Sequence, residues 1–197
     1  MTEEQLREEF KTRSLSGQSP ILAIYELHDE LLAAELAKGD VILACERGCG
    51  FCCHQLINVT KLEWQEIVKF IDTLPFRQKY WIKRRSDVAF QEWKRYDRSL
   101  RSDQKTPTVA NILRAYSDWM GKAPCPFLNG ENSCDIYPVR PIMCRTYTST
   151  HKCQSWDDDN DGRQFRFEFQ SWVNNLIFEI QPTIVIAVPF LAKTLVI

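Results

Sequence analysis

Apolar residues recur along this chain at helical spacing, and polar, cysteine-bearing stretches interrupt them. Residues 20–38 place Ile21, Ile24, Leu27, Leu31, Leu32, Ala34 and Leu36 on one broad face, open with Pro20 and stop at Gly39, which predicts an amphipathic helix. Thr60 followed by Glu63 is a capping box, and Trp64, Ile67, Val68 and Ile71 repeat after it, so a second helix is predicted over 60–73. Pro75 begins a third, highly charged helix that runs to about Leu100. Its Phe76, Tyr80, Phe90, Trp93 and Tyr96 form an aromatic stripe expected to pack in the core, with the charges solvated. Pro107–Met120, ended by Gly121, is a fourth helix, and Phe167–Ile180 a fifth. The apolar run Ile180–Ala192 carries two prolines and falls short of the roughly 20 residues of a spanning helix, so it reads as a buried strand or broken helix. No internal repeat, low-complexity tract or linker divides the chain. The expected architecture is mainly α: a single domain over 1–197, about five helices packed around irregular Cys-rich loops, with little or no sheet. Its diagnostic motifs fall in 45–153, with helical flanks at 1–40 and 154–197.

Composition narrows the possible partners. At 197 residues and 44% hydrophobic content, the chain can bury an ordinary core without disulfides or metal to compensate for small size. A net charge of -1 and a pI near 6.3 create no global field for phosphate backbones, although Lys83, Arg84 and Arg85 form a local basic run. Neither nucleic acid nor a membrane is an expected partner; a protein partner stays open. The opening MTEEQLREEF is acidic and polar, where a secretory signal would be basic and then apolar, so a cytoplasmic location is expected.

The eight cysteines carry the candidate chemistry. They fall in two groups, Cys45, Cys49, Cys52 and Cys53, then Cys125, Cys134, Cys144 and Cys153. In a reducing compartment, clustered thiols read as metal ligands rather than staples. A bridge between the vicinal Cys52 and Cys53 would also be strained, because disulfides prefer alpha carbons about 4.4 to 6.8 Å apart. Gly48 and Gly50 permit backbone bends in the first group, and Pro124, Pro126, Pro138 and Pro141 stiffen the second. Thiolates are the ligating form and leave a tetrathiolate centre negative, which Arg47, Arg140 and Arg145 could offset; ordinary ion pairs are the competing role for each arginine. His54 and His151, beside Cys53 and Cys153, could complete a mixed nitrogen and sulfur site, whereas His28 lies on the first amphipathic helix.

The segment C45-x3-C49-x2-C52-C53, the VTKLEW helix start, C125-P-F-L and C134-D-I-Y-P-V-R-P-I-M-C144-R-T-Y closely resemble the YkgJ-type cysteine-cluster family of zinc- or iron-chelating proteins. The resemblance covers about residues 45 to 153 and implies chelation of metal through these cysteines. The cysteine cluster of flagellin lysine N-methylases is similar and is associated with an iron-sulfur centre, in considerably longer chains. C-x3-C-x2-C is also the triplet of radical S-adenosylmethionine enzymes, but the alternating strands and helices of their barrel are missing.

The spacing leaves the metal open between an iron-sulfur cluster, with four-iron type favoured, and zinc. Structural zinc usually uses two C-x2-C knuckles, and Cys49 with Cys52 supplies one. Four sulfurs at one centre would leave the other four to build a second or to pack as small hydrophobes. Asp157, Asp159, Asp161, Gly162 and Glu168 also fit the D-x-D-x-D-G-x5-E pattern of a calcium loop, against the plainer reading of a solvated acidic loop before a helix. Three classes of function follow. The first is a metal-binding protein with a structural or electron-carrying centre, which predicts no substrate pocket beside the cysteines. The second is a cluster-dependent methylase or oxidoreductase, which requires a cleft lined by groups such as Arg145, Tyr147 and His54. The third is a zinc-stabilised interaction module, which predicts an exposed apolar patch.

Overall fold

In the computed structural model, residues 1–46, 48–55, 57–102, 124–155, 164–182 and 184–185 are described. They form six α-helices: α1 (Glu3–Leu15), α2 (Pro20–Ala37), α3 (Lys61–Thr73), α4 (Phe76–Ser102), α5 (Ile142–Thr146) and α6 (Glu168–Ile180). Short 3-10 turns cover Phe51–His54 and Tyr137–Val139. Among the described residues, strand content is limited to two antiparallel pairs of two residues each, β1 (Val59–Thr60) with β4 (Ile184–Val185) and β2 (Thr148–Ser149) with β3 (Gln164–Phe165). The mainly α architecture agrees with the periodicity. The helix expected over 107–120 lies outside the described residues.

Helix α1 is a departure from the sequence reading. It is polar enough to hide its periodicity, yet Thr2 and Gln5 form a full capping box and Glu3 and Glu4 sit at its positive end. Leu6 is its fully buried residue, and Arg7 and Arg13 reach Glu179 and Glu30 on α6 and α2. Helix α2 ends at Gly39, whose φ of +79° suits glycine and whose N–H donates to the Leu36 carbonyl at 3.1 Å.

Helix α4 corrects a second expectation. Ile82, Ser86 and Ala89 form its buried face, and Phe76 (73%), Tyr80 (47%) and Trp81 (48%) are exposed. Of the expected stripe, Phe76 and Tyr80 are thus turned outward and Phe90 is half-buried. The side chains of Trp93 and Tyr96 lie outside the described residues.

Two apolar cores result. One joins α1, α2 and α6 through Leu6, Ile21, Ile24, Leu27, Val173, Leu176 and Ile177. The other gathers Ile57, Val59, Ile67, Ile71, Ile82, Phe127, Ile136 and Val139, with Cys125, Cys134 and Cys144 packed against it. Glu63 ties the elements together. Its carboxylate accepts from the Thr60 N–H at 2.8 Å, the Tyr25 hydroxyl at 3.1 Å and the Ile142 N–H at 2.9 Å, so it caps α3 and α5 at once.

Candidate metal centre

The first cysteine group is a loop folded on its own backbone. Gly48, at φ +94°, makes the bend that a side chain would resist, and the Cys49 N–H closes onto the Glu46 carbonyl at 3.1 Å. Gly50 acts differently from the sequence expectation. Its φ is an ordinary -97°, but a Cβ there would stand 3.2 Å from the Leu128 side chain, so glycine leaves room for the second loop to pack closely. The Phe51–His54 turn then presents Cys52 and Cys53.

The second group is bolted to the first. The Cys125 N–H donates to the Cys53 carbonyl at 2.6 Å, and an isolated bridge pairs Leu128 with Cys134 across a tight turn. Asn129 holds that turn, accepting from the Glu131 and Ser133 N–H groups at 2.9 and 3.0 Å and donating to Asp135 at 3.0 Å. Arg85 of α4 pairs with Asp135 and donates to the Pro126 carbonyl at 2.7 Å. Part of the basic run at 83–85 thus serves this loop. Asn129 did not stand out in the sequence and Arg85 did so only as part of the basic run, because their partners are fixed only by the fold.

Helix α5 supplies Cys144 and the buried Arg145. That guanidinium donates to Asp29 at 2.6 Å, to the Arg140 carbonyl at 3.0 Å and to the Pro138 carbonyl at 2.6 Å, and stacks 4.3 Å from the centre of the Tyr25 ring. Arg145 therefore anchors the loop and already has a carboxylate partner. Arg140, stacked 3.9 Å over Tyr137 and with its Nε buried and unbonded, is the arginine whose charge lowers the Cys45, Cys134 and Cys144 thiols. Arg47 lies outside the described residues.

Asp29 provides a pH signature of this anchor. Burial pushes its carboxyl up, but the His28 hydrogen bond and the Arg145 charge outweigh that and bring it from 3.8 down to about 2. A carboxylate depressed on folding lends stability above its unfolded value and loses it as pH falls through the folded value. The urea midpoint of the wild type should thus fall between about pH 4 and pH 2 more steeply than that of Asp29→Asn. The difference should stay within about 1 kcal/mol, since half of the side chain remains in water.

None of the eight cysteines is in a disulfide, and all eight line one cavity of about 590 Å³. Arg140, Arg145 and Tyr147 line it too, along with an aliphatic wall of Leu32, Leu36, Val41 and Leu43. The histidines do not. His151 is exposed and bonded to Thr150 at 3.0 Å, His54 buries its Nδ1 without a partner, and His28 is in the helical core beside Asp29. Of the calcium pattern, Asp157, Asp159 and Asp161 lie outside the described residues, and Glu168 is an exposed residue in the first turn of α6.

The electrostatics suit sulfur ligands waiting for a cation. Burial pushes the Cys125 thiol up to about 12 and Cys134 to about 11, and it holds Cys144 and Cys45 above their ordinary value. The Cys53 thiol is also held up, first by its hydrogen bond with Cys52 and then by burial. Against this, the backbone N–H groups of Phe127, Ile136 and Ser149 point at the sulfurs of Cys125, Cys134 and Cys45, the last at 3.2 Å. Such bonds stabilise thiolates and are the usual support of metal-bound sulfur. Among the described residues no three His, Cys, Asp or Glu side chains are drawn tightly enough together to hold an ion as they stand. The sulfurs line the wall of the cavity, and a metal would draw them inward, releasing protons. The donor set, thiols with N–H support, fits a thiophilic metal.

No helix among the described residues is long and apolar enough to cross a membrane. The family model CxxCxxCC, described as "Putative zinc- or iron-chelating domain", matches residues 44–162, more than half of the chain. No curated protein and no solved structure matches it.

Proposed function

This chain belongs to the CxxCxxCC family of zinc- or iron-chelating domains, and from that premise we propose that its cysteines hold an iron-sulfur cluster, four-iron type favoured, or zinc. The centre is structural or carries electrons, in a protein of the cytoplasm. One observation carries the reading: cysteines from two segments far apart in sequence all line a single cavity. An ordinary core does not need eight thiols around a shared space, and N–H groups aimed at sulfur serve thiolates better than thiols. When bound, a cluster supplies one-electron chemistry, whereas zinc supplies a fixed crosslink between the loops. The protein's residues supply the ligands, the N–H bonds that tune them, and the positive charge of Arg140.

A second reading is favoured by the size of the cavity, since a purely structural or electron-carrying centre predicts no substrate pocket beside the cysteines. At about 590 Å³ it falls within the range of roughly 300 to 1,000 Å³ for small-molecule sites, and its aliphatic wall has no role in holding a metal. A cluster-dependent enzyme would use that space, with Arg140 and Tyr147 beside the reacting group. The interaction-module reading finds its patch in the exposed Phe76, Tyr80, Trp81 and Val88 of α4.

Anaerobic purification followed by absorption spectroscopy and analysis for iron, sulfide and zinc tests these readings. Visible sulfur-to-iron bands with matching sulfide are the expected result for a cluster. A colourless protein with stoichiometric zinc would replace the cluster by zinc, and a metal-free protein would remove the proposal. An enzyme with an open metal position should also show a spectral change when imidazole is added to the loaded protein.

A further inference from the structure

Besides sulfur, the cavity has a cation and an apolar wall, and holding a metal uses neither as a contact surface. Among the described residues, the charged side chains that line it are Glu46, Arg140 and Arg145. Two of them are already paired. Glu46 meets Lys152 at 3.3 Å, and Arg145 is held by Asp29 and two backbone carbonyls. No described carboxylate pairs with Arg140, and its Nε is buried without an acceptor. Its guanidinium lies 3.9 Å over the Tyr137 ring, so one face is taken. The side chain is half-buried, and with Nε shut in, the Nη edge is what the cavity can reach. A negative metal centre feels this charge from a distance, whereas a planar fork of N–H donors is matched in contact by the two oxygens of a carboxylate.

The apolar wall comes from two adjoining pieces of chain. Leu32 and Leu36 stand one turn apart near the end of α2, about 6 Å along its axis, a length that a few methylene groups cover. Val41 and Leu43 follow on the segment whose Ala44 N–H donates to the Ser149 carbonyl at 2.8 Å. All four pack against the core of α1, α2 and α6, yet each is only partly buried and also lines the cavity. Ile42, between the last two, lines the same space and is 81% exposed. Core packing accounts for the buried sides of this wall and gives no reason for its open one.

We propose that the cavity binds a small aliphatic carboxylate, its acid group on the Arg140 guanidinium and its hydrocarbon chain along Leu32, Leu36, Val41 and Leu43. This site rests on the second reading above, in which a small molecule uses the space, and gives that molecule its chemical class. A single fork suits a monoanion; a phosphate ester, with more charge and more acceptors, asks for further donors than the described wall supplies.

The test is calorimetric titration of the full-length, anaerobically purified protein with hexanoate, with the metal content of every sample measured alongside. The wild type should bind hexanoate at least about tenfold more tightly than hexanol, which lacks the charge, hexylamine, which has the opposite one, or acetate, which lacks the chain. Arg140→Gln should weaken hexanoate at least about tenfold, and Arg140→Lys, which keeps the charge and loses the fork, should fall between. Leu36→Asn should remove the advantage of hexanoate over acetate. Equal binding of hexanol or hexylamine, tighter binding of hexyl phosphate, or unchanged affinity in Arg140→Gln would each overturn the assignment. The ligand series on the wild type decides the matter even where an Arg140 variant loses metal or fold. A loaded wild type that responds to imidazole but does not bind hexanoate overturns this ligand and leaves the enzyme reading standing, whereas hexanoate binding without a response to imidazole does the reverse.

Discussion

Chelating the metal is expected to loosen the cysteine-bearing half of the molecule and to leave the helical half almost unchanged. The core of α1, α2 and α6 consists of apolar side chains carried mostly on these three helices, and no cysteine is among its residues. The other core is closed on one side by loops rather than helices. Phe127, Ile136 and Val139 come from the stretch between Cys125 and Cys144, which has one 3-10 turn and one isolated bridge and otherwise depends on side chains, Asn129 within it and Arg85 and Arg145 beside it. Loops of that kind lose much conformational entropy on folding and recover little of it from local hydrogen bonds. A metal that crosslinks cysteines of this stretch to the first cysteine loop would replace the missing local stability, so its binding energy would appear as folding energy there. Hydrogen exchange at Leu128, Asp135 and Val139 should speed up by about 100-fold or more on chelation, equivalent to about 3 kcal/mol, while amides of α2 and α6 change little. Far-UV circular dichroism should hardly move. A uniform loss of protection would mean that the two cores unfold together, and no loss would place the metal outside the fold's support.

The contrast between the two cores also explains what could be read from the chain. Helices α2, α3 and α6 were legible because their signals are local: Pro20 and Gly39, the Thr60–Glu63 box, and apolar residues at helical intervals. Helix α1 was not, because its stability comes from a cap and from ion pairs to α2 and α6, which do not register as apolar periodicity. Phe76 and Tyr80 of α4 were misread, since hydrophobicity alone gives no direction on a helix whose buried face is Ile82, Ser86 and Ala89. For the site, residue type and number pointed to the cysteines, and charge pointed to three arginines. Which arginine faces sulfur and which holds the scaffold depends on Asp29, more than a hundred residues from Arg145 along the chain.

Glu63→Ala should be among the most damaging single substitutions outside the cysteines, at about 3 to 5 kcal/mol. Its side chain is 1% exposed, and its carboxylate accepts from Thr60, Tyr25 and Ile142, donors on three separate elements. Truncation strands all three in the interior, and each buried orphan donor costs about 1 to 3 kcal/mol. The capping box of α3 goes with it, and so does the acceptor at the first turn of α5, the helix that carries Cys144 and Arg145. Glu63→Gln separates shape from hydrogen bonding, because its amide oxygen can serve Tyr25 and Ile142 while its NH2 group meets the Thr60 N–H donor to donor. The glutamine variant should therefore fall between wild type and alanine in urea denaturation. The metal gives the second readout. If Glu63 positions α5, both variants should lose metal more readily to a competing chelator, with alanine the weaker holder, even at temperatures where each remains folded. Equal metal retention by all three proteins would confine Glu63 to the fold and detach it from the site.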